Sequence, residues 1–245
     1  MEEDELCFPQ LLNTSCKKPK PPHSETVFIY ILLFFISVLT AALNLLVIIS
    51  ISHYRQLHSP TNLLLLSLAV SDFFVGFLQL PAEMLIYHGC WLLGDFACAL
   101  NVALGFILNS VSVGNMVLMS VDRYVAICEP MYYPIRVTAR AMRSHVAVVK
   151  LQCSVTVTSK KSELKAARNL GVLVVVFLLC FSPYYCFSVA AENSWISAFQ
   201  ICLLYFNSCL NPVIYAFFYP WFRKAVKHIV TLQILQPGSS EANVL

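Results

Sequence analysis

Charge is scarce in this chain of 245 residues: Asp, Glu, Lys and Arg together make up 12%, against 58% hydrophobic residues. That balance excludes an ordinary water-soluble domain, in which about a quarter of the residues are charged. A net formal charge of +3 is too small for a nucleic-acid surface, and the lysines and arginines suit loops that flank membrane spans. No nucleic-acid partner is expected. The ten cysteines include no CxxC pair, which removes the usual metal-site spacing. Cys128, Cys180, Cys186, Cys202 and Cys209 fall in or beside apolar runs, where a free thiol packs as a small hydrophobe. The stretch from Met1 to Glu5 is acidic and lacks the basic-then-apolar pattern of a cleavable signal peptide. The first span is therefore expected to direct insertion, with the tail ahead of it still attached. There is no internal repeat, low-complexity tract or second soluble domain. No nucleophile, base and orienting group fall at a spacing that would make an enzyme.

What the sequence does have is apolar length. Segments 27–52, 62–87, 97–128, 170–190 and 197–218 each match the roughly 20 residues that a helix needs to cross about 30 Å of hydrocarbon. The expected fold is an all-α integral membrane protein with five spans. Residues 1–26 form an N-terminal tail, 27–218 the bundle with a basic loop at 129–165, and 219–245 an interfacial helix and tail. With the N-terminus outside, thirteen of the sixteen Lys and Arg residues face the cytoplasm. Lys17, Lys18 and Lys20 argue locally for the reverse. Asn13-Thr14-Ser15 is an N-glycosylation acceptor usable only on the outer side, which favours the first orientation. Past the last span, Trp221, Phe222, Val226 and Ile229 alternate with Arg223, Lys224 and Lys227 in the pattern of a helix lying in the membrane interface.

An ionisable group inside a span costs several kcal/mol unless it is paired or hydrated, so each one is a functional candidate. Helical spacing places Asp72, Gly76, Gln79 and Glu83 on one face, with the two carboxylates roughly 16 Å apart along the axis. The third span has a stripe of its own, Gly105, Asn109, Ser112, Met116 and Met119, which ends at Arg123 beside Asp122. Asn44, Asn207, Ser208 and Asn211 add polar groups, enough to surround Asp72 with a water- or ion-holding cluster. Interhelical hydrogen bonding accounts for the same residues equally well, and spacing leaves both readings open. Pro81, Pro183 and Pro212 each remove a backbone donor and bend their helices, and such bends open cavities. Phe181, Tyr184 and Tyr185, with Tyr205, are positioned to line one.

In chain order, Asn44, then Leu68-Ala69-Val70-Ser71-Asp72, Asp122-Arg123-Tyr124, Cys180-Phe181-Ser182-Pro183 and Asn211-Pro212-Val213-Ile214-Tyr215 form a pattern that resembles the rhodopsin-like G-protein-coupled receptors. Asn109-Ser110-Val111-Ser112-Val113-Gly114-Asn115, Pro130-Met131-Tyr132-Tyr133-Pro134 and Leu164-Lys165-Ala166-Ala167-Arg168 are similar to the trace amine-associated receptors of the fish olfactory branch. The resemblance implies a plasma-membrane receptor for a small amine or related odorant that acts on a heterotrimeric G protein. It implies a sodium and water cluster at Asn44, Asp72, Ser112, Asn207 and Asn211, with no other cofactor. For activation and coupling it implies Asp122, Arg123, Tyr124, Pro212 and Tyr215. The ligand-facing candidates are Glu83, Phe106, Asn109, Tyr184, Tyr185 and Tyr205.

Two departures from that family stand out. The acidic residue that anchors the amine in the family corresponds to Gly105, which holds no cation, and Glu83 is the remaining carboxylate near the outer cavity. The second departure is a gap. Through Thr138 the chain reads like the family's second cytoplasmic loop and from Ala139 like its third, so the fourth and fifth spans are absent. Losing two spans together preserves parity, and the remaining helices keep their orientation. The lost outer loop would carry the partner of Cys98, leaving Cys7, Cys16 and Cys90 as substitutes. The leading expectation is a truncated, signalling-incompetent receptor with retention in the endoplasmic reticulum as one outcome. A non-signalling partner that dimerises with full-length receptors is one alternative, and a small channel using Asp72 and Glu83 is another.

Overall fold

The computed structural model describes residues 23–87, 93–128, 157–187, 194–236, 238–242 and 244. Among these residues it consists of helices joined by short turns, with no strand. Helix α1 is His23–His53, α2 is Pro60–Phe74 and α3 is Leu80–Tyr87; a π turn at Val75–Gln79 joins α2 to α3 into one span. Helix α4 is Gly94–Cys128, α5 Val157–Phe187, α6 Ser194–Phe218 and α7 Pro220–Val230.

Among the described residues, four segments are long and apolar enough to cross a membrane: Val27–His53, Pro60–Leu85, Gly94–Val125 and Gln200–Phe218. A shorter apolar stretch, Arg168–Tyr184, lies within α5. The five spans expected from the sequence are all present as helices. They close into a ring in which α1 packs on α2 and α6, α2 on α4, α4 on α5, and α5 on α6. The helix expected after the last span forms as α7, with Trp221, Phe222 and Ala225 buried and Val230 exposed. Its buried side packs on α1, so the interface position rests on a protein contact as well as on amphipathicity.

Two apolar clusters sit at opposite ends of the ring. One contains Val47, Ile51, Leu68, Met116, Leu173, Phe177 and Tyr215; the other contains Leu33, Ile36, Val75, Leu80, Leu108 and Tyr205. Asn44, Asp72, Ser112, Asn207 and Asn211 are all buried at chain positions between them. Lipid tails are as apolar as leucine, so these polar groups bind helix to helix where a hydrophobic driving force is weak.

Of the positions expected on one face, Asp72 and Glu83 both accept from α6, through Asn211 and Tyr205, and Gln79 donates to Glu83, although the helix between them is not an unbroken α-helix. Leu80 N–H bonds to Val75 O, a π-type link just before Pro81, and the wider turn rotates α3 relative to α2. Gly76, one turn after Asp72, meets α1. Ser37 Oγ donates to Gly76 O at 2.8 Å, and a Cβ at position 76 would lie 2.7 Å from Ala41 N and 3.0 Å from Ser37 O. Only glycine permits that approach. Gly76→Ala is expected to destabilise the bundle by about 1–3 kcal/mol in a reversible unfolding titration, as overpacking does; a variant as stable as the parent would show that α1 yields freely.

Candidate functional site

Asp72 is fully buried and accepts a hydrogen bond from Asn211 Nδ2 at 2.7 Å, joining α2 to α6. Asn44 Nδ2 donates to Thr40 O at 2.9 Å and to Ser208 O at 3.0 Å, joining α1 to α6. The Ser112 hydroxyl donates to Leu108 O and lies 3.4 Å from Ser71 Oγ, so it links α4 to α2 beside Asp72 without bonding to it. Asp72 Oδ1, Asn44 Oδ1, Asn207 Oδ1, Asn211 Oδ1 and the Tyr215 hydroxyl are buried with no hydrogen-bond partner among the described residues. Buried oxygens without donors are costly in hydrocarbon. One carboxylate amid amide oxygens is the donor chemistry of a hard monovalent cation or of a small water cluster.

At the Arg123 end of the bundle a closed ring of bonds forms. The Arg123 guanidinium donates to Asp122 through Nε at 3.1 Å, and its second nitrogen donates to Thr61 Oγ1 at 2.6 Å. Thr61 Oγ1 in turn donates to Asp122 Oδ2 at 2.8 Å. Thr61 follows Pro60 at the start of α2, where Ser59 accepts from Asn62 N–H as the N-cap. The sequence pattern offers no sign of its role, because a threonine in the first turn of a helix reads as ordinary capping chemistry. A cavity of about 210 Å³ opens here, lined by Thr61, Asn62, Met119, Arg123, Leu173 and Tyr219 among others. Burial pushes the Tyr219 phenol pKa up, and the Arg123 charge opposes that rise. Tyr215 is fully buried, edge-on to Tyr219 and Phe222, and Pro212 lies one turn before it. Tyr124 points outward, 65% exposed.

The Glu83 end brings together residues from three spans. Tyr205 OH donates to Glu83 Oε1 at 3.1 Å, and Gln79 Nε2 donates to the same oxygen at 3.4 Å. Gly105 stands opposite Gln79. Asn109 is half-buried one turn along α4, and Tyr184 is half-buried on α5. Phe181 stacks on Phe177 with ring centroids 4.1 Å apart. Phe106 is 72% exposed and lies apart from this group. Cys98 is exposed and free. Asn13, Cys7, Cys16, Cys90 and the Tyr185 side chain lie outside the described residues. Gln79 belongs to the site although the sequence marked it only as one position on a polar face.

Residues 43–158 and 150–215 match the profile of the family described as 7 transmembrane receptor (rhodopsin family). The two matched stretches meet within the segment that connects α4 to α5. The buried Asp72, the Asp122-Arg123 pair and that match place the chain among the rhodopsin-family receptors. Within that class the chain belongs to the trace amine-associated receptors. It is 30% identical to trace amine-associated receptor 13c of Danio rerio, with 99% of this chain and 97% of the relative covered. It is 31% identical to trace amine-associated receptor 7f of Mus musculus and to 7h of Rattus norvegicus, with 98% of this chain and 92% of each relative covered. The first alignment runs over 332 positions against 245 residues here, so at least 87 positions of the relative face no residue of this chain.

The ring at Arg123 carries a direct consequence. Thr61→Val removes both hydroxyl bonds and is expected to cost about 1–3 kcal/mol, because it leaves charged groups short of a partner. Thr61→Ser is expected to restore most of that loss in the same unfolding titration. Equal stability of the valine variant and the parent would dissolve the ring's structural role.

Proposed function

We propose that this chain is a short form of an amine-sensing receptor, lacking the helix pair that its relatives carry between the third and sixth spans, and that it does not itself activate a G protein. The observation that carries this reading is the alignment gap of at least 87 positions, enough for two spans and their loops, together with the break of the family match between α4 and α5. The packing is in keeping with it. The most apolar window of α4 is only 11% buried, against 50% for the second span and 56% for α6. Phe106, Ile107, Val113, Val117 and Val121 are left facing outward along its length. That bare face is where a missing helix, or a receptor partner, would pack.

In this reading the N-terminus is outside, the Glu83 end faces the exterior and the Arg123 cavity faces the cytoplasm in the plasma membrane. Glu83 is the cation anchor in place of the position taken by Gly105, and Tyr184 and Tyr205 offer aromatic faces to an amine. Arg123 is held by Asp122 and Thr61, and the wall that a fifth span would add to the cavity is missing. Asp72 with Asn44, Asn207 and Asn211 holds sodium with water, Ser112 standing beside it.

Two measurements test the reading. Cells that display an epitope-tagged chain at their surface are expected to give no amine-dependent rise in cAMP; abundant surface protein with such a rise overturns the proposal. In detergent, sodium replacing choline at matched ionic strength is expected to stabilise the chain by about 1 kcal/mol when present at roughly five times its Kd. Asp72→Asn is expected to lose that increment, and the same increment in both proteins would remove the sodium assignment.

A further inference from the structure

The amine anchor has a second member that the family pattern does not supply. Gln79 sits in the π turn, 4% exposed, and its amide lies against α4 at Gly105. A Cβ at position 105 would come within 3.2 Å of Gln79 Nε2 and 3.6 Å of its Oε1. Glycine there leaves the space that the amide fills. Gln79 Nε2 donates to Glu83 Oε1, whereas Gln79 Oε1 is buried with no hydrogen-bond partner among the described residues. Glu83 is half-buried, and its hydrogen bonds come from two neutral donors, Gln79 and Tyr205, both directed at Oε1. Among the described residues no cation pairs with it.

A carboxylate inside the outer half of a bundle is costly until a positive charge reaches it. A buried carbonyl oxygen with an empty acceptor position is costly until an N–H reaches it. The two acceptors lie one turn of helix apart, on the π turn and α3, and the Gln79 amide stands against Gly105. One ligand chemistry satisfies both.

We propose that Gln79 and Glu83 form a two-acceptor ammonium site that selects ligands by their number of N–H donors. A primary ammonium donates one N–H to Glu83 and another to Gln79 Oε1. A quaternary ammonium brings the same charge with no donor, leaving the Gln79 oxygen buried and unmet. The π turn sets Gln79 against α4 at Gly105, and Glu83, one turn on, meets α6 through Tyr205. This inference rests on the reading of the chain as an amine binder, and all of its parts lie on spans that the chain retains.

The test uses the full chain in lipid nanodiscs and measures the affinity of phenethylammonium, its N,N,N-trimethyl derivative and the uncharged propylbenzene. The primary ammonium is expected to bind about a hundredfold more tightly than the quaternary one, the size of two lost charge-assisted hydrogen bonds, one to each acceptor. Gln79→Leu is expected to lower that preference about tenfold, the bond to Glu83 remaining, while leaving the trimethyl affinity within about a factor of two. Glu83→Gln is expected to bring both cations down to the level of propylbenzene. Equal affinities for the two cations in the unmodified chain, or a preference undiminished by Gln79→Leu, overturns the two-acceptor site and leaves the amine reading standing. Cation binding undiminished by Glu83→Gln, or no binding of either cation to the unmodified chain, overturns the amine reading itself. The ligand comparison on the unmodified chain decides the selectivity question even if a variant fails to fold.

Discussion

A carboxylate with no access to solvent, held by the Asn211 amide in the middle of a membrane bundle, sets the terms for the rest of this fold. Asp72 is fully buried and Asn211 donates to it across the α2–α6 contact at 2.7 Å. In hydrocarbon an isolated charge is costly enough to reshape the helices around it, so the neighbouring polar side chains turn inward. Asn44 then ties α1 to α6 and Ser112 ties α4 toward α2 by way of Ser71. The apolar clusters at either end of the ring close over this polar layer. Packing at the ends and polar contacts at the centre act on the same helices, which is why the ring closes with five members.

The two ends have diverged in chemistry. At the Arg123 end the charge is compensated within the chain, by Asp122 and by Thr61, and the adjoining cavity borders residues already engaged with one another. At the Glu83 end the carboxylate is met, among the described residues, by neutral donors. An internally satisfied end resists change, and an unsatisfied end attracts a ligand. The π turn between Asp72 and Glu83 allows the contrast, because it frees α3 to face α4 and α6 while α2 keeps Asp72 on the central layer.

Much of this was legible in the sequence, for physical reasons that can be named. Apolar runs of membrane length located every span, since the bilayer fixes helix length directly. Asn44, Asp72, Asn207 and Asn211 stood out as polar groups in apolar surroundings, and all four are buried together. The π turn was not legible: five residues, Val75 to Gln79, carry no periodicity distinct from an α-helix, and the proline that follows them signals a bend without its geometry. That turn hid the pairing of Gln79 with Gly105. Thr61 was hidden because its partners are 61 and 62 positions away in the chain. The return of the C-terminal residues was equally silent in the sequence. Val244 is fully buried in the cluster that includes Tyr54 and Leu57, and Gln56 donates to Glu241 O at 3.0 Å.

The Asp72–Asn211 contact is the polar tie that holds α2 to α6 in this bundle. A double-mutant cycle measures it, comparing Asp72→Asn, Asn211→Leu and the pair by reversible unfolding in a membrane mimetic. A coupling of about 0.5–3 kcal/mol between the two positions is the result the account predicts. Strictly additive losses would contradict it, because they would mean that each side chain acts on the bundle without the other.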